Sequence, residues 1–240
     1  MNDLTDRQVN ILKHIIDEYI EAAEPVGSVY LDKKYNLGIS PATLRNEMAQ
    51  LIKKGYLKQP HTSAGRVPTP VALRYYVSNL MQPKNLSVTD EVKIKEKVWD
   101  YRSEFERALR EATHELAERT KSLAVASDVD GDVYYAGTAN ILSMPEFFDI
   151  DLTRNVLALL DRFDYLRRIF PLEGSEEMNV VLADDLGFDS LTSCAVVFTK
   201  FGQGTKHEGT IGVIGPCRLN YPRLIPTVRY FGNLMDDILI

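Results

Sequence analysis

The chain has 240 residues, of which 45% are hydrophobic and 26% charged, and its formal net charge at pH 7 is −6. This length favours two modules, and the composition is typical of globular proteins, which excludes a disordered or fibrous chain. No stretch approaches the roughly 18 apolar residues that a membrane span needs, and the N-terminus lacks a signal-peptide pattern. We therefore expect a cytoplasmic protein with no membrane partner.

The charges are unevenly distributed along the chain. Residues 1–32 hold two basic and seven acidic side chains, whereas residues 33–76 hold eight basic side chains and one acid, Glu47. Residues 83–240 carry an acidic excess. Because a solvated surface does not need to collect cations in this way, the basic segment indicates a nucleic-acid partner. Its cations are Lys33, Lys34, Arg45, Lys53, Lys54, Lys58, Arg66 and Arg74.

Two helices are predicted before residue 40. Thr5–Gln8 has the sequence of a capping box, and the apolar residues that follow recur at helical spacing, which predicts a helix over about Asp6–Ala22. Ser28 is expected to cap a short second helix that ends in the turn Asn36–Gly38. Two helices joined by a sharp turn begin a helix-turn-helix pattern.

The third helix has the clearest boundaries. Ser40 supplies an N-cap, a proline follows at the first helical position, and Gly55 ends the helix, which predicts a span of about Pro41–Lys54. The inward stripe of this helix consists of Leu44, Met48 and Leu51. Its outward face consists of Thr43, Asn46, Gln50 and Lys53.

A β-hairpin is predicted directly after this helix. Tyr56–Gln59 and Arg66–Val67 are expected to be its strands, the loop between them includes His61, Thr62 and Ser63, and Thr69 is expected to cap a further helix. Helices followed by a two-stranded wing predict a winged helix-turn-helix domain over residues 1–82. In such a domain the third helix enters the major groove while the hairpin touches the adjacent backbone.

The side chains of the predicted third helix suit DNA recognition. Asn46 and Gln50 can each make two hydrogen bonds to adenine, Thr43 can meet a thymine methyl group, and Arg45 can reach a guanine or a phosphate. The helix start at Ser40 offers backbone amides to a further phosphate. Phosphate contacts are also expected from Lys53, Lys54, Lys58 and Arg66. The structural alternative is a helical domain with a solvated polar face.

The rest of the chain predicts a long helix and then a mixed domain. Thr89–Ser122 contains no Gly or Pro, which predicts one connecting helix about 50 Å long within a segment 83–122. Its imperfect seven-residue repeat indicates either a dimer contact or a spacer packed on its own chain. Residues 123–240 alternate predicted strands and helices, with hairpin turns at Asp130–Gly131 and Gly202–Gly204. The expected class is α+β, with an antiparallel sheet in the C-terminal part.

Enzyme and metal sites find little support in the sequence. The histidines (His14, His61, His114 and His207) are scattered, and Cys194 and Cys217 have no partner at metal-ligand spacing. Asp128–Asp132 has its glycine at the wrong place for a calcium loop, so it predicts a turn. Gly209–Gly215 lacks the dinucleotide-binding spacing and predicts a buried strand. We expect no enzyme activity and no cofactor.

Several segments resemble the HrcA family of heat-inducible transcription repressors. In the N-terminal part these are Glu24–Ser28 (EPVGS), Ala42–Met48 (ATLRNEM) and Gln59–Thr69 (QPHTSAGRVPT). In the C-terminal part they are Tyr135–Leu142, Met144–Phe147 and Gly209–Pro216. The resemblance implies a GAF-like fold for residues 123–240. It also implies that a homodimer represses chaperone operons at an inverted-repeat operator and that the GroE chaperonin keeps it competent to bind.

One departure from the family pattern concerns dimerisation. Family members carry a long inserted dimerisation segment where this chain passes from Ala124–Ser127 through a five-residue turn to Tyr134. We therefore expect the dimer contact to come from the Thr89–Ser122 helix and the GAF-like surface. Two other functions remain open. One is a repressor gated by a small effector in the GAF-like part, and the other is a chaperone-binding module that uses the winged helix for protein contact.

Overall fold

The chain folds into two compact units, Met1–Gln82 and Pro83–Ile240. The computed structural model describes residues 4–62, 64–172, 178–182, 185, 191 and 193–239. Among these residues, no helix combines the length and the apolar character that crossing a membrane requires. The class is α+β, as predicted from the sequence.

The first unit consists of helices and one short hairpin. Its elements are α1 (Asp6–Ala22), α2 (Ser28–Tyr35), α3 (Pro41–Lys53), β1 (Leu57–Lys58), β2 (Val67–Pro68) and α4 (Pro70–Asn79). The two strands pair antiparallel, with Leu57 opposite Pro68 and Lys58 opposite Val67. Arg66, just before β2, also forms an antiparallel bridge with Val26.

Local capping interactions explain where these helices begin. The Thr5 side chain accepts a hydrogen bond from the Gln8 amide and the Gln8 side chain accepts one from Thr5, which completes the predicted capping box. The side chains of Ser40 and Thr69 cap α3 and α4 by accepting hydrogen bonds from the amides of Thr43 and Ala72, respectively. The prediction for Ser28 is wrong: Gly27 is the N-cap of α2, and Ser28 is its first, buried residue.

The core of the first unit forms where α1 packs against α3 and α4. Four apolar side chains of α1 and the inward stripe of α3 are at most 2% exposed; they are Ile11, Leu12, Ile15, Ile16, Leu44, Met48 and Leu51. Their burial supplies the main favourable term that holds the unit together. The stripe predicted for α3 is therefore its inward face.

The second unit contains the remaining elements. They are α5 (Val88–Trp99), α6 (Phe105–Thr120), β3 (Leu123–Asp128), β4 (Val133–Ala136), α7 (Thr138–Ile141), a 3-10 helix (Pro145–Phe148), α8 (Ile150–Leu160), α9 (Phe163–Ile169), β5 (Met178–Leu182), β6 (Cys194–Phe201), β7 (Gly209–Pro216) and α10 (Tyr221–Leu239).

A five-stranded antiparallel sheet organises the second unit. Its strand order is β4-β3-β7-β6-β5, and both predicted hairpins, β3–β4 and β6–β7, are present. Helices α6 and α10 pack on the sheet. On its other face, Val125 and Phe198 belong to a buried cluster with Val156 of α8 and Leu166 of α9. The sheet is therefore covered by helices on both faces.

The prediction of one unbroken helix over Thr89–Ser122 is wrong. The chain leaves the helix after Trp99 and enters α6 at Phe105, so α5 and α6 pack as an antiparallel helical hairpin. The physical reason is burial, because folding back covers Ile94 of α5 and Leu109 of α6, which a straight helix would expose.

The repeat proposed as a dimer contact is largely used within this chain. Val98, Ala108, Ala112 and Glu115 are all at most 2% exposed. The Glu115 carboxylate accepts a hydrogen bond from Lys97 of α5 and lies 4.0 Å from the Arg119 guanidinium. Glu115 therefore joins α6 to α5 within this chain.

Removing this carboxylate should destabilise the second unit. We expect Glu115→Ala to lower the free energy of unfolding by about 2 kcal/mol, because Lys97 and Arg119 lose a buried acceptor. Glu118→Ala, on the exposed side of the same helix, should change it by no more than about 0.5 kcal/mol. Urea unfolding followed by circular dichroism measures both, and equal losses would contradict the assignment.

Candidate nucleic-acid interface

The outward face of α3 is polar and accessible. Arg45, Asn46, Gln50 and Lys53 are all exposed, while the opposite side of the helix is buried in the core. These four side chains supply amide and cationic donors as well as amide acceptors. Such groups match the donor and acceptor pattern that base pairs present in the major groove.

The first turn of α3 adds a hydroxyl pair. Ser40 accepts a hydrogen bond from the Thr43 amide at 3.2 Å, and the two hydroxyl oxygens lie 3.0 Å apart. Ser40 is exposed and Thr43 is half-buried. The Thr43 side chain is therefore held at the helix start beside Ser40.

The hairpin loop, residues 59–66, presents further polar groups. Lys58 at its base and His61 and Thr62 in the loop are exposed. Ser63, which the sequence also assigned to the interface, lies outside the described residues. The Ala64 amide donates to the His61 carbonyl at 2.9 Å, which forms a tight turn within the loop.

Two of the cations predicted to contact phosphates are turned toward the protein. The Lys54 ammonium donates to the Gln8 side chain at 3.0 Å, and the Arg66 guanidinium donates to the carbonyls of Ala64 and Gly65 at 3.0 and 3.4 Å. Both side chains are half-buried. Exposed cations are instead supplied by Arg45, Lys53 and Lys58.

Glu47 fixes the position of α3, a role that charge counting did not reveal. Its carboxylate accepts hydrogen bonds from Arg7 at 3.4 Å and from Gln8 at 3.0 Å, both on α1. Glu47 lies three residues from Leu44 and one from Met48, at the edge of the buried stripe. The sequence signal was the single acid in a basic segment, and the structure shows that this acid joins α3 to α1.

A second carboxylate anchors α2. Glu18 of α1 is 4% exposed and accepts hydrogen bonds from Tyr30 and Tyr35, and the Lys34 ammonium lies 2.5 Å from it. Burial alone would raise the pKa of Glu18, but the hydrogen bonds from Lys34, Tyr30 and Tyr35 outweigh burial and hold this pKa below its usual value. Lys34 therefore forms an ion pair with Glu18 of α1.

The second unit contains a surface cleft of about 1040 Å³. Its walls include Arg107, Arg110, Asp128 and His207, and the His207 ring stacks on Phe105 with centroids 4.2 Å apart. The core beneath α8 and α9, in contrast, is filled by apolar side chains. The filled core opposes an effector enclosed there, whereas the cleft has the size and the converging polar groups that an effector site needs.

One group of potential metal ligands occurs on α6. Ligand atoms of Glu111, His114 and Glu115 lie within 4.8 Å of one another, so His114 is less isolated than the sequence suggested. Glu115 is already neutralised by Lys97 and Arg119. We therefore assign Glu115 to the ion pairs that join α5 and α6 and propose no metal site here.

The first unit combines an exposed polar helix with a short hairpin, and the second is a GAF-like sheet domain, which together define a two-unit α+β protein. Residues 73–225 match the family model described as the HrcA protein C terminal domain. The chain belongs to the HrcA family.

Full-length relatives agree with this assignment. The heat-inducible transcription repressor HrcA of Moorella thermoacetica is 27% identical, with 98% of each chain covered. Its namesake from Roseiflexus sp. is 28% identical, with 99% of this chain and 95% of the relative covered. The Moorella alignment runs over 337 positions although this chain has 240 residues, so many residues of the relative have no counterpart here.

A solved structure shows the same fold. A crystal structure described as that of a hypothetical protein matches with a TM-score of 0.78 and 21% sequence identity, covering 98% of both chains. At this identity the match establishes the fold only.

The Glu18 interactions predict how the first unit responds to acid. A carboxyl whose pKa is lower in the folded state stabilises the fold above its unfolded pKa, and this stabilisation is lost as the pH falls through the folded value. We expect the wild-type protein to lose thermal stability over the acid interval below about pH 4.5, where an ordinary glutamate is protonated. Glu18→Gln should be less stable at neutral pH and should lose less over that interval.

Glu21→Gln is the matched control, because Glu21 lies on the same helix but is exposed. It should retain the pH dependence of the wild type. Melting curves at several pH values measure the difference, and the same acid loss in Glu18→Gln as in the wild type would show that Glu18 does not carry it.

Proposed function

We propose that this protein is a sequence-specific DNA-binding transcription repressor, of the heat-inducible kind for which its relatives are named. Residues 1–82 act as a winged helix-turn-helix domain in which α3 enters the major groove. The observation that carries the proposal is the exposed row Arg45, Asn46, Gln50 and Lys53, on a helix whose other side is fixed in the core.

Within this proposal, base reading and backbone contact belong to different residues. Asn46 and Gln50 read base edges, with Thr43 and Arg45 beside them. Ser40 at the helix start and Lys53 at its end meet phosphates on either side of the groove, and Lys58, His61 and Thr62 bring the hairpin to the neighbouring backbone. Lys54 supports α3 through its hydrogen bond with Gln8.

The proposed operator is an inverted repeat bound by a homodimer, since a two-fold symmetric site is read by two copies of one domain. Because the repeat in α5 and α6 is buried, we assign the contact to other surfaces of the second unit. Leu142, Phe148 and Ile150 are 55%, 73% and 66% exposed within nine residues, which is a large apolar exposure.

The proposed targets are chaperone operons, and the proposed protein partner is the GroE chaperonin. Family resemblance supports both. Binding of the purified protein to promoter fragments of the host's chaperone operons, with and without the chaperonin, tests them directly.

Two substitutions on α3 should separate base reading from phosphate contact. Asn46→Ala should lower the affinity for the operator by about tenfold and leave binding to scrambled duplex unchanged, because it removes a base contact worth about 1–3 kcal/mol. Lys53→Ala should weaken binding to both duplexes alike and reduce the salt slope by about one. Fluorescence anisotropy at several salt concentrations measures both effects. Equal losses on the two duplexes for Asn46→Ala would refute its assignment.

A charge placed in the exposed apolar segment should disrupt the dimer. We expect Phe148→Glu to shift the protein from dimer to monomer at micromolar concentration, because a carboxylate would have to be buried without a partner. Val88→Glu, on the exposed side of α5, serves as the control and should leave the dimer intact. Analytical ultracentrifugation gives the mass. A wild-type monomer, or a monomer only for Val88→Glu, would contradict this surface.

A further inference from the structure

The carbonyl groups of the hairpin loop are held by donors from the loop itself. The Gln59 side-chain amide donates to the Thr62 carbonyl at 2.7 Å and to the Ala64 carbonyl at 3.2 Å. The Arg66 guanidinium donates to the Ala64 and Gly65 carbonyls from the other strand. A side chain from each end of the loop therefore donates to the Ala64 carbonyl, which then faces the interior of the loop.

The far side of the loop is fixed by main-chain contacts. The Arg66 amide donates to the Val26 carbonyl at 2.8 Å, and the Val26 amide donates to the Arg66 carbonyl at 2.9 Å. A Cβ atom at Gly65 would lie 2.5 Å from the Val26 carbonyl carbon, which leaves no room for a larger residue. The C-terminal end of the loop is thus fixed to Val26 by the main chain of Arg66. The shape of the loop is set by the hydrogen bonds that its own carbonyls accept.

We infer that Gln59 and Arg66 are positioning residues that present the hairpin loop to the phosphate backbone, and that Arg66 is not itself a phosphate contact. This inference rests on the proposed DNA-binding function. It reassigns Arg66, which the sequence placed among the phosphate-binding cations.

The physical reason lies in the geometry of the trans peptide, whose N–H points opposite its C=O. Because the His61 carbonyl accepts from Ala64, and the Ala64 carbonyl accepts from Gln59 and Arg66, the following amides of Thr62 and Gly65 face away from these donors. Backbone amides directed in this way are donors for phosphate oxygens. In this arrangement the hairpin contacts DNA through Lys58 and the amides of Thr62 and Gly65. The guanidinium of Arg66 supports the loop and does not contact DNA.

The decisive variant is Arg66→Gln in the full-length protein, because it removes the charge and keeps a polar side chain, although the glutamine amide nitrogen is two bonds short of the Nη1 that donates to the Ala64 carbonyl. Binding to a labelled duplex of mixed sequence is measured over a series of salt concentrations. We expect an unchanged slope of log K against log salt, because no phosphate contact is lost, and an affinity about threefold to fivefold below the wild type, because the loop loses hydrogen bonds that position it. Lys58→Ala is the control for a true phosphate contact, and its slope should fall by about one.

Gln59→Leu tests the other positioning residue, since leucine is similar in size to glutamine but has no hydrogen-bond donor. Its affinity for the same duplex should fall about fivefold with no change in slope, because amide contacts are lost and no charge is. Melting temperatures of all variants establish that they are folded.

The outcomes separate the two levels of the proposal. A slope reduced by about one in Arg66→Gln, as in Lys58→Ala, would overturn the assignment of Arg66, and wild-type affinity in Gln59→Leu would overturn that of Gln59. A wild-type protein that binds no duplex would instead refute the DNA-binding function from which both assignments follow.

Discussion

Burial of one stripe of α3 determines what the first unit can do. Leu44, Met48 and Leu51 are at most 2% exposed, and rotating α3 to expose any of them would cost roughly 2 kcal/mol per side chain. Glu47 reinforces this orientation through its hydrogen bonds with α1. Once α3 is fixed, the helical period places Asn46 and Gln50 on the outside. The exposed polar face of α3 is thus a consequence of the core.

In the second unit, residues shared with the family pattern serve close packing. A Cβ atom at Gly212 of β7 would lie 2.4 Å from the Val197 carbonyl oxygen, so the adjacent strand approaches too closely for a side chain. Asn140 donates to the Ser122 carbonyl at 3.1 Å, just beyond the end of α6. The prediction that Gly209–Gly215 is a buried strand is confirmed. The segments around Gly212 and Asn140 thus allow close packing within the sheet and between α7 and the end of α6.

Local signals in the sequence predicted the elements well, and long-range contacts explain the errors. The capping box at Thr5 and the Ser40 cap act within four residues, so the sequence alone reveals them. The break after Trp99 depends on apolar side chains that meet only after the chain folds back. The inward direction of the Arg66 side chain depends on its partners, which no spacing specifies.

The same long-range contacts reduce the number of cations in residues 33–76 that are available to a partner. Eight cations occur between residues 33 and 76, but Lys34 is paired with Glu18, Lys54 with Gln8, and Arg66 with loop carbonyls. The electrostatic part of DNA affinity grows with the number of phosphates neutralised, with a salt slope of about −0.9 for each. If the protein binds DNA as proposed, one copy therefore neutralises fewer phosphates than the basic composition of residues 33–76 suggests. Within the proposed function, a second copy on an inverted repeat is the means by which the protein recovers that affinity.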